Sequence, residues 1–98
     1  MAVTALLELR IKPEALSSIE DLLRKVLADT RAFPGCLGVE VLVDHTDPAH
    51  ITLQESWESV EHDNAYRAWR ASPEGVSGLG DVVAAPPVLT VFTTLFAL

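Results

Sequence analysis

Residues 36–57, CLGVEVLVDHTDPAHITLQESW, read as two strands folded back on one another. Both flanks are rich in Val, Leu and Ile, and TDPAH (46–50) sets Asp and Pro between them, the composition of a turn. CLGVEVLVDH (36–45) and ITLQESW (51–57) are therefore expected to pair as a hairpin. On either side of it the apolar period changes from two to about 3.6 residues, the period of a helix. Before it, Leu16, Ile19, Leu23, Val26 and Thr30 form a stripe widened by Leu22, Leu27 and Phe33, with Glu20, Asp21, Arg24, Lys25 and Asp29 opposite. This predicts an amphipathic helix from Glu14 of about five turns. Its acids come early and Arg24, Lys25 and Arg31 late, as the helix dipole favours, and Pro34-Gly35 stops it. After the hairpin, Ser59 is an expected N-cap for a second helix running to about Ala71, broken by Ser72-Pro73-Glu74-Gly75. A short helical turn is expected over 75–80.

VTALLELRI (3–11) and VLTVFTTLFAL (88–98) supply the first and the last strand, and GDVVAAPP (80–87) connects the second helix to the last strand. The order β-α-β-β-α-β predicts one α+β domain over residues 1–98, ferredoxin-like, with four antiparallel strands and both helices on one face. Its other face should alternate apolar and polar residues if it meets water. Instead Leu37, Val39, Val41 and Val43 line one side of the second strand, and Val88, Phe92 and Phe96 alternate with Leu89, Val91 and Leu95 in the last. A second subunit is expected to cover the open face with these residues.

Composition agrees with association. The chain has 98 residues, 49% hydrophobic, and so short a domain hides a smaller share of its surface than a larger one. Fourteen acids against seven bases give a net charge of -7, which offers no footprint for nucleic acid or an anionic membrane. MAVTALLELRIK carries Glu8 and Arg10 and has no basic leader, so it is read as a strand and not a signal peptide. No apolar run reaches the ~18 residues of a membrane span. The lone Cys36 suits a reducing compartment, and the expected location is the cytoplasm. No phosphate loop, nicotinamide fingerprint, Ser-His-Asp order or cysteine nucleophile pattern is present, so no cofactor and no metal is expected.

TRAFPGCLGVEV (30–41), DPAHITLQESWES (47–59) and APPVLTVF (85–92) together resemble the antibiotic biosynthesis monooxygenase superfamily. Its pattern is a helix ending in a TRA-x-PGC turn, a strand ending in E-x-W-x-S and a closing PP-x-V strand. The resemblance spans nearly the whole chain. It implies a homodimeric α+β barrel joined through the sheets, with a pocket in each subunit between sheet and helices. Some members oxidise phenolic or quinol-type substrates with oxygen and neither metal nor flavin, and others degrade haem. Fold is thus implied more firmly than reaction.

Trp57 shares a strand face with Leu53 and Glu55. By resemblance Trp57 is a pocket residue. Leu53 stands where cofactor-free relatives carry an asparagine, which removes a polar contact to substrate. Trp57 is equally a large core residue. His62, Tyr66 and Trp69 follow at i, i+4 and i+7 and share one face of the second helix. An imidazole there could take a proton from a substrate hydroxyl, since its ordinary pKa near ~6.5 leaves it neutral at physiological pH. Tyr66 would be a donor to the developing oxyanion, and Trp57, Trp69 and Leu53 would contact the substrate. His62 lies in the first turn near Glu58, Glu61 and Asp63, so a solvated role is the plain alternative. Haem-degrading relatives combine a first-strand asparagine, a second-helix tryptophan and a histidine ten residues later. Trp69 matches, but the other positions fall at about Leu6 and at Leu79, so haem is set aside. His45, Asp47 and His50 crowd the hairpin as turn residues more than as a metal site. Glu55, an acid on a buried face, needs a partner, and Arg10 is the expected one.

The expected function is a cofactor-independent monooxygenase acting with O2 on a small aromatic quinol, phenol or polyketide-like substrate. A non-enzymatic small-molecule-binding dimer, or a non-oxidative isomerase or cyclase of the same fold, remains the alternative.

Overall fold

The computed structural model describes residues 1–98. The elements follow the expected order: β1 (Val3–Arg10), α1 (Ile19–Ala32), β2 (Cys36–Asp44), β3 (Asp47–Trp57), α2 (Val60–Arg70) and β4 (Val88–Thr93). The sheet is antiparallel throughout, ordered β2-β3-β1-β4, which is the ferredoxin-like arrangement. Two local differences have simple causes. Pro13 opens a 3-10 turn over Pro13–Ser18, and the regular helix begins only at Ile19, after two serines that are weak helix formers. The hairpin tip is shorter than TDPAH: Asp44 Oδ1 accepts from both the backbone N–H and the hydroxyl of Thr46, turning the chain in two residues, so β3 starts at Asp47. Past α2 the chain makes two short 3-10 turns, Pro73–Gly75 and Leu79–Asp81. The last strand ends at Thr93 and Thr94–Leu98 continue beyond it, with Leu95 92% exposed.

The main core joins Leu9 and Ile11 of the first strand region, Ile51 and Leu53 of β3, and Ile19, Leu23 and Leu27 of α1. A second cluster, Val3, Ala5, Trp57 and Tyr66, lies beneath α2. Register then sorts the strand faces. Val39, Val41 and Val43 stand opposite Glu55, Leu53 and Ile51, and Leu89 and Val91 stand opposite Leu7 and Ala5. Those partners belong to the helix-covered face. The valine stripe of β2 and half the apolar residues of β4 therefore lie on the helix side, where the two helices stop short of the sheet edges, and not on the open face as expected. The open face carries Thr4, Leu6, Glu8 and Arg10, then His50, Thr52, Gln54 and Ser56, with Leu42, Val88 and Phe92 at its margins. Apart from Leu6 its middle is polar, and its border strands mix Leu42, Val88 and Phe92 with Glu40 and Thr90.

An ion cluster closes one end of that face. His50 Nδ1 lies 3.0 Å from Asp44 Oδ2 and His50 Nε2 lies 3.0 Å from Glu8 Oε1, so each ring nitrogen meets a carboxylate, the arrangement of an imidazolium donating two hydrogen bonds. Arg10 pairs with Asp47 beside it. The bonds to Asp44 and Glu8 raise the His50 pKa above its ordinary value. The bond from His50, with those from Thr46, lowers Asp44 to about 2. His50 therefore contributes stability in full below ~6.5, its unfolded pKa, and loses it as pH rises through the raised folded value. Asp44 contributes above ~4 and loses its share as pH falls toward 2. Thermal melts at about pH 5.5 and about pH 8.5 should show a larger alkaline loss for the unmodified chain than for His50→Gln. Equal losses would remove the cluster from the account.

Candidate functional site

The Pro34-Gly35 turn and the start of α2 are built against each other. Gly35 has φ +89, and a Cβ there would fall 2.3 Å from the His62 ring. Glycine is required both for the left-handed backbone and for room to seat the imidazole. Ser59, the N-cap of α2, accepts from the His62 backbone N–H, and its hydroxyl lies 2.7 Å from His62 Nδ1. The His62 side chain is 40% exposed, with Glu58 at 3.7 Å from Nε2. His62 thus belongs to the cap of α2 and the turn it packs on.

Inward from it lies an aromatic cluster. Phe33 from the end of α1, Trp57 from β3, and Tyr66 and Trp69 from α2 approach with ring centroids 4.9 Å (Trp57–Tyr66), 5.3 Å (Phe33–Tyr66) and 5.6 Å (Phe33–Trp69) apart. Trp57 is fully buried. The Arg70 guanidinium stacks 4.6 Å from the Trp69 centroid. The Tyr66 hydroxyl is engaged on both sides: it is hydrogen-bonded to Thr30 Oγ1 at 2.6 Å and accepts from Arg70 Nε at 2.7 Å. Arg70 also donates to the carbonyls of Val26 and Gly75 and to Thr30 Oγ1, tying α2 to α1.

Beside this cluster is a buried ionic group. Glu55, 1% exposed, receives the Arg67 guanidinium at 2.5 Å and the Trp57 indole N–H at 3.2 Å, both on Oε1. Arg67 is held from the other side by Asp63, at 3.1 Å. The partner of Glu55 is therefore Arg67 and not Arg10, which is on the opposite face of the sheet, opposite His50. Sequence spacing could have suggested it: Asp63 and Arg67 are an i,i+4 pair on the helix that must cover β3.

Two hollows border α1. The larger, about 830 Å3, is an open furrow between α1 and the uncovered valines of β2, floored by aliphatic residues with Arg24, already paired to Glu20, on its rim. It contains none of the expected site residues. The smaller, about 140 Å3, lies between sheet and helices and is lined by Leu7, Leu53, Glu55, Tyr66, Arg67, Arg70 and Leu79 among others. Chemistry favours the smaller one, because its ionisable groups include the buried Glu55, whereas Glu20, Arg24 and Arg31 of the furrow are exposed to solvent. Of the expected site residues, Leu53 and Tyr66 line this cavity together, while Trp57 and Trp69 stand behind Tyr66 and His62 borders neither hollow. Glu55, Arg67 and Arg70 are cavity residues that sequence reasoning did not assign to the site. The position set aside for haem at Leu79 also falls here, whereas Leu6 points to the open face.

Cys36 is half-buried, and burial pushes its thiol pKa up, which keeps it protonated. No group of three His, Cys, Asp or Glu side chains is arranged to hold a metal ion; His45 is exposed and His50 is taken up by its two carboxylates. No helix is long and apolar enough to cross a membrane.

Residues 2–75 match the family described as "Antibiotic biosynthesis monooxygenase". No curated protein matches the chain. Among solved structures, the chain is similar to Rv0793 from Mycobacterium tuberculosis, with a TM-score of 0.80, 22% identity, and coverage of 99% of this chain and 98% of that one. It is also similar to a mutant of SnoaB, described as a cofactor-independent oxygenase from Streptomyces nogalater, with a TM-score of 0.83, 15% identity, and coverage of 99% and 96%. A conserved protein from Methanosarcina mazei Go1 aligns with a TM-score of 0.79, 16% identity, and coverage of 94% and 91%.

Removing Arg67 would leave Glu55 buried without a counter-charge, so Arg67→Leu should cost about 3 kcal/mol, read from urea unfolding at neutral pH. A loss below about 1 kcal/mol would mean that the pair holds nothing in place.

Proposed function

The chain belongs to the antibiotic biosynthesis monooxygenase family, and on that premise we propose that it is a cofactor-independent monooxygenase for a small quinol or phenol. The observation that carries this reading is the cavity of about 140 Å3 between sheet and helices, apolar on Leu7, Leu53 and Leu79 and ionisable on Glu55, Arg67 and Arg70. Its volume is close to the ~150 Å3 of an engineered apolar cavity that binds benzene, so one aromatic ring fits within it. Ground-state oxygen reacts poorly with closed-shell molecules, so the substrate has to supply the electrons. A quinol does so: with one O2 it gives a hydroxyquinone and water, one oxygen atom entering the ring and the other leaving in the water. The protein's contribution is to hold the ring, exclude bulk water and place polar groups at its oxygens.

In this assignment Leu53 and the Tyr66 ring contact the substrate, and Trp57 and Trp69 hold Tyr66 in place. The Tyr66 hydroxyl accepts from Arg70, and with Thr30 as the donor of their shared bond its own proton is available to a substrate oxygen. His62, capped by Ser59 outside the cavity, has no substrate proton within its reach. The reaction is read by oxygen consumption with a panel of single-ring quinols, corrected for their autoxidation. The unmodified chain should exceed the uncatalysed rate, His62→Ala should keep most of the activity, and Leu53→Trp, which fills the cavity, should abolish it. Quinol binding without oxygen uptake would favour a binding protein instead, and turnover without oxygen an isomerase or cyclase.

A homodimer through the sheet face completes the proposal. Only 17 of 98 residues are buried, and Leu42, Val88 and Phe92 border the open face uncovered, so a second copy has apolar surface to cover there. Sedimentation equilibrium should give twice the chain mass, and Phe92→Glu should lower it toward the monomer. A monomeric unmodified chain would end this part of the proposal.

A further inference from the structure

Glu55 carries two carboxylate oxygens in unlike surroundings. Oε1 accepts both available donors, the Arg67 guanidinium and the Trp57 indole N–H. Oε2 accepts no hydrogen bond. No buried side-chain polar atom in the protein lacks a partner, so Oε2 is not sealed off; in a residue only 1% exposed that lines the cavity, its opening is into the cavity. A carboxylate oxygen facing a small apolar chamber is a strong acceptor waiting for a donor.

The charges around it select which donor. The Arg67 and Arg70 guanidiniums on the same wall disfavour an ammonium group. An anion gains little from them, because Arg67 is held by Glu55 and Asp63, and Arg70 by Tyr66, Thr30 and two backbone carbonyls. It would also be repelled by Oε2. A neutral hydroxyl on an aromatic ring satisfies both the apolar walls and the free oxygen. We propose that Glu55 Oε2 is the specificity-determining acceptor of this cavity, receiving the hydroxyl proton of a neutral single-ring phenol in a hydrogen bond. The assignment rests on the reading of this cavity as the substrate site. Since Leu53 offers no polar atom, Glu55 is what orients the ring.

The test compares phenol, toluene and benzaldehyde on the full chain, with affinity measured by titration and location by shifts of the Leu53 and Leu79 methyl signals. Phenol and toluene have nearly the same shape, and only phenol donates; benzaldehyde only accepts. In the unmodified protein phenol should bind about tenfold or more tighter than either, the usual effect of a hydrogen bond to a charged group. Glu55→Gln reverses the polarity of the free position. The amide oxygen must stay toward Arg67 and Trp57, which only donate, so the NH2 group turns to the cavity. The phenol-to-benzaldehyde preference should then fall by about tenfold or more while thermal melting confirms the fold. Phenol and toluene binding equally in the cavity would overturn the role of Glu55 while leaving the site intact, as would an unchanged preference in Glu55→Gln. If none of the three perturbs the Leu53 and Leu79 methyls, the substrate-site reading fails and the assignment with it. Should Glu55→Gln not fold, the phenol-to-toluene ratio of the unmodified chain decides alone.

Discussion

A carboxylate buried on the inner face of β3 governs the arrangement around it. Glu55 is almost wholly buried, and a charge so placed is tolerated only with a counter-charge in good geometry. Arg67 provides it from α2, and Asp63 one turn earlier steadies Arg67. These contacts set the rotation of α2 about its own axis. With Arg67 turned to the sheet, Tyr66 falls against Trp57 and Phe33, and Arg70 reaches across to Thr30 and the end of α1. The cavity is the space left where these long side chains cannot fill the angle between the helices and β1.

The family motifs acquire physical reasons in this setting. The glycine of the PGC turn is a left-handed residue over which His62 packs, joining the end of α1 to the start of α2. The glutamate and tryptophan of E-x-W-x-S are hydrogen-bonded to each other, and the serine that follows them caps α2 and binds His62. Both motifs therefore hold α2 on the sheet, and Glu55 of the second also lines the cavity.

The apolar content is distributed by the same geometry. Two helices of 14 and 11 residues do not span a four-stranded sheet, so the valines of β2 and the leucine and valine of β4 on the helix side are left half-covered at opposite edges. The open face is mostly polar down its middle strands, where Thr, Gln, Ser and the His50 cluster stand beside Leu6, and has Leu42, Val88 and Phe92 at its borders. That pattern differs from the uniformly apolar face that composition suggests, because alternation within a strand reveals two sets of residues but not which set turns inward.

Element order, helix faces, caps and the Pro-Gly turn were legible in the sequence, since each depends on neighbours within a few positions: period, dipole, glycine and capping hydroxyl act locally. The aromatic residues Trp57, Tyr66 and Trp69 were legible as a group for the same reason, and Leu53 as a polar position lost. Side-chain partnerships across the fold were not. Arg10 and Arg67 are equally plausible in sequence as partners of Glu55, and only strand register, which turns Arg10 to the opposite face, decides between them. The same holds for His62, which shares a helix face with Tyr66 yet lies a turn beyond the cavity's reach. Sequence determined what this protein is built from and in what order. Tertiary structure alone decided which charges meet and which side chains line the cavity, because those depend on distances between segments that the chain does not itself connect.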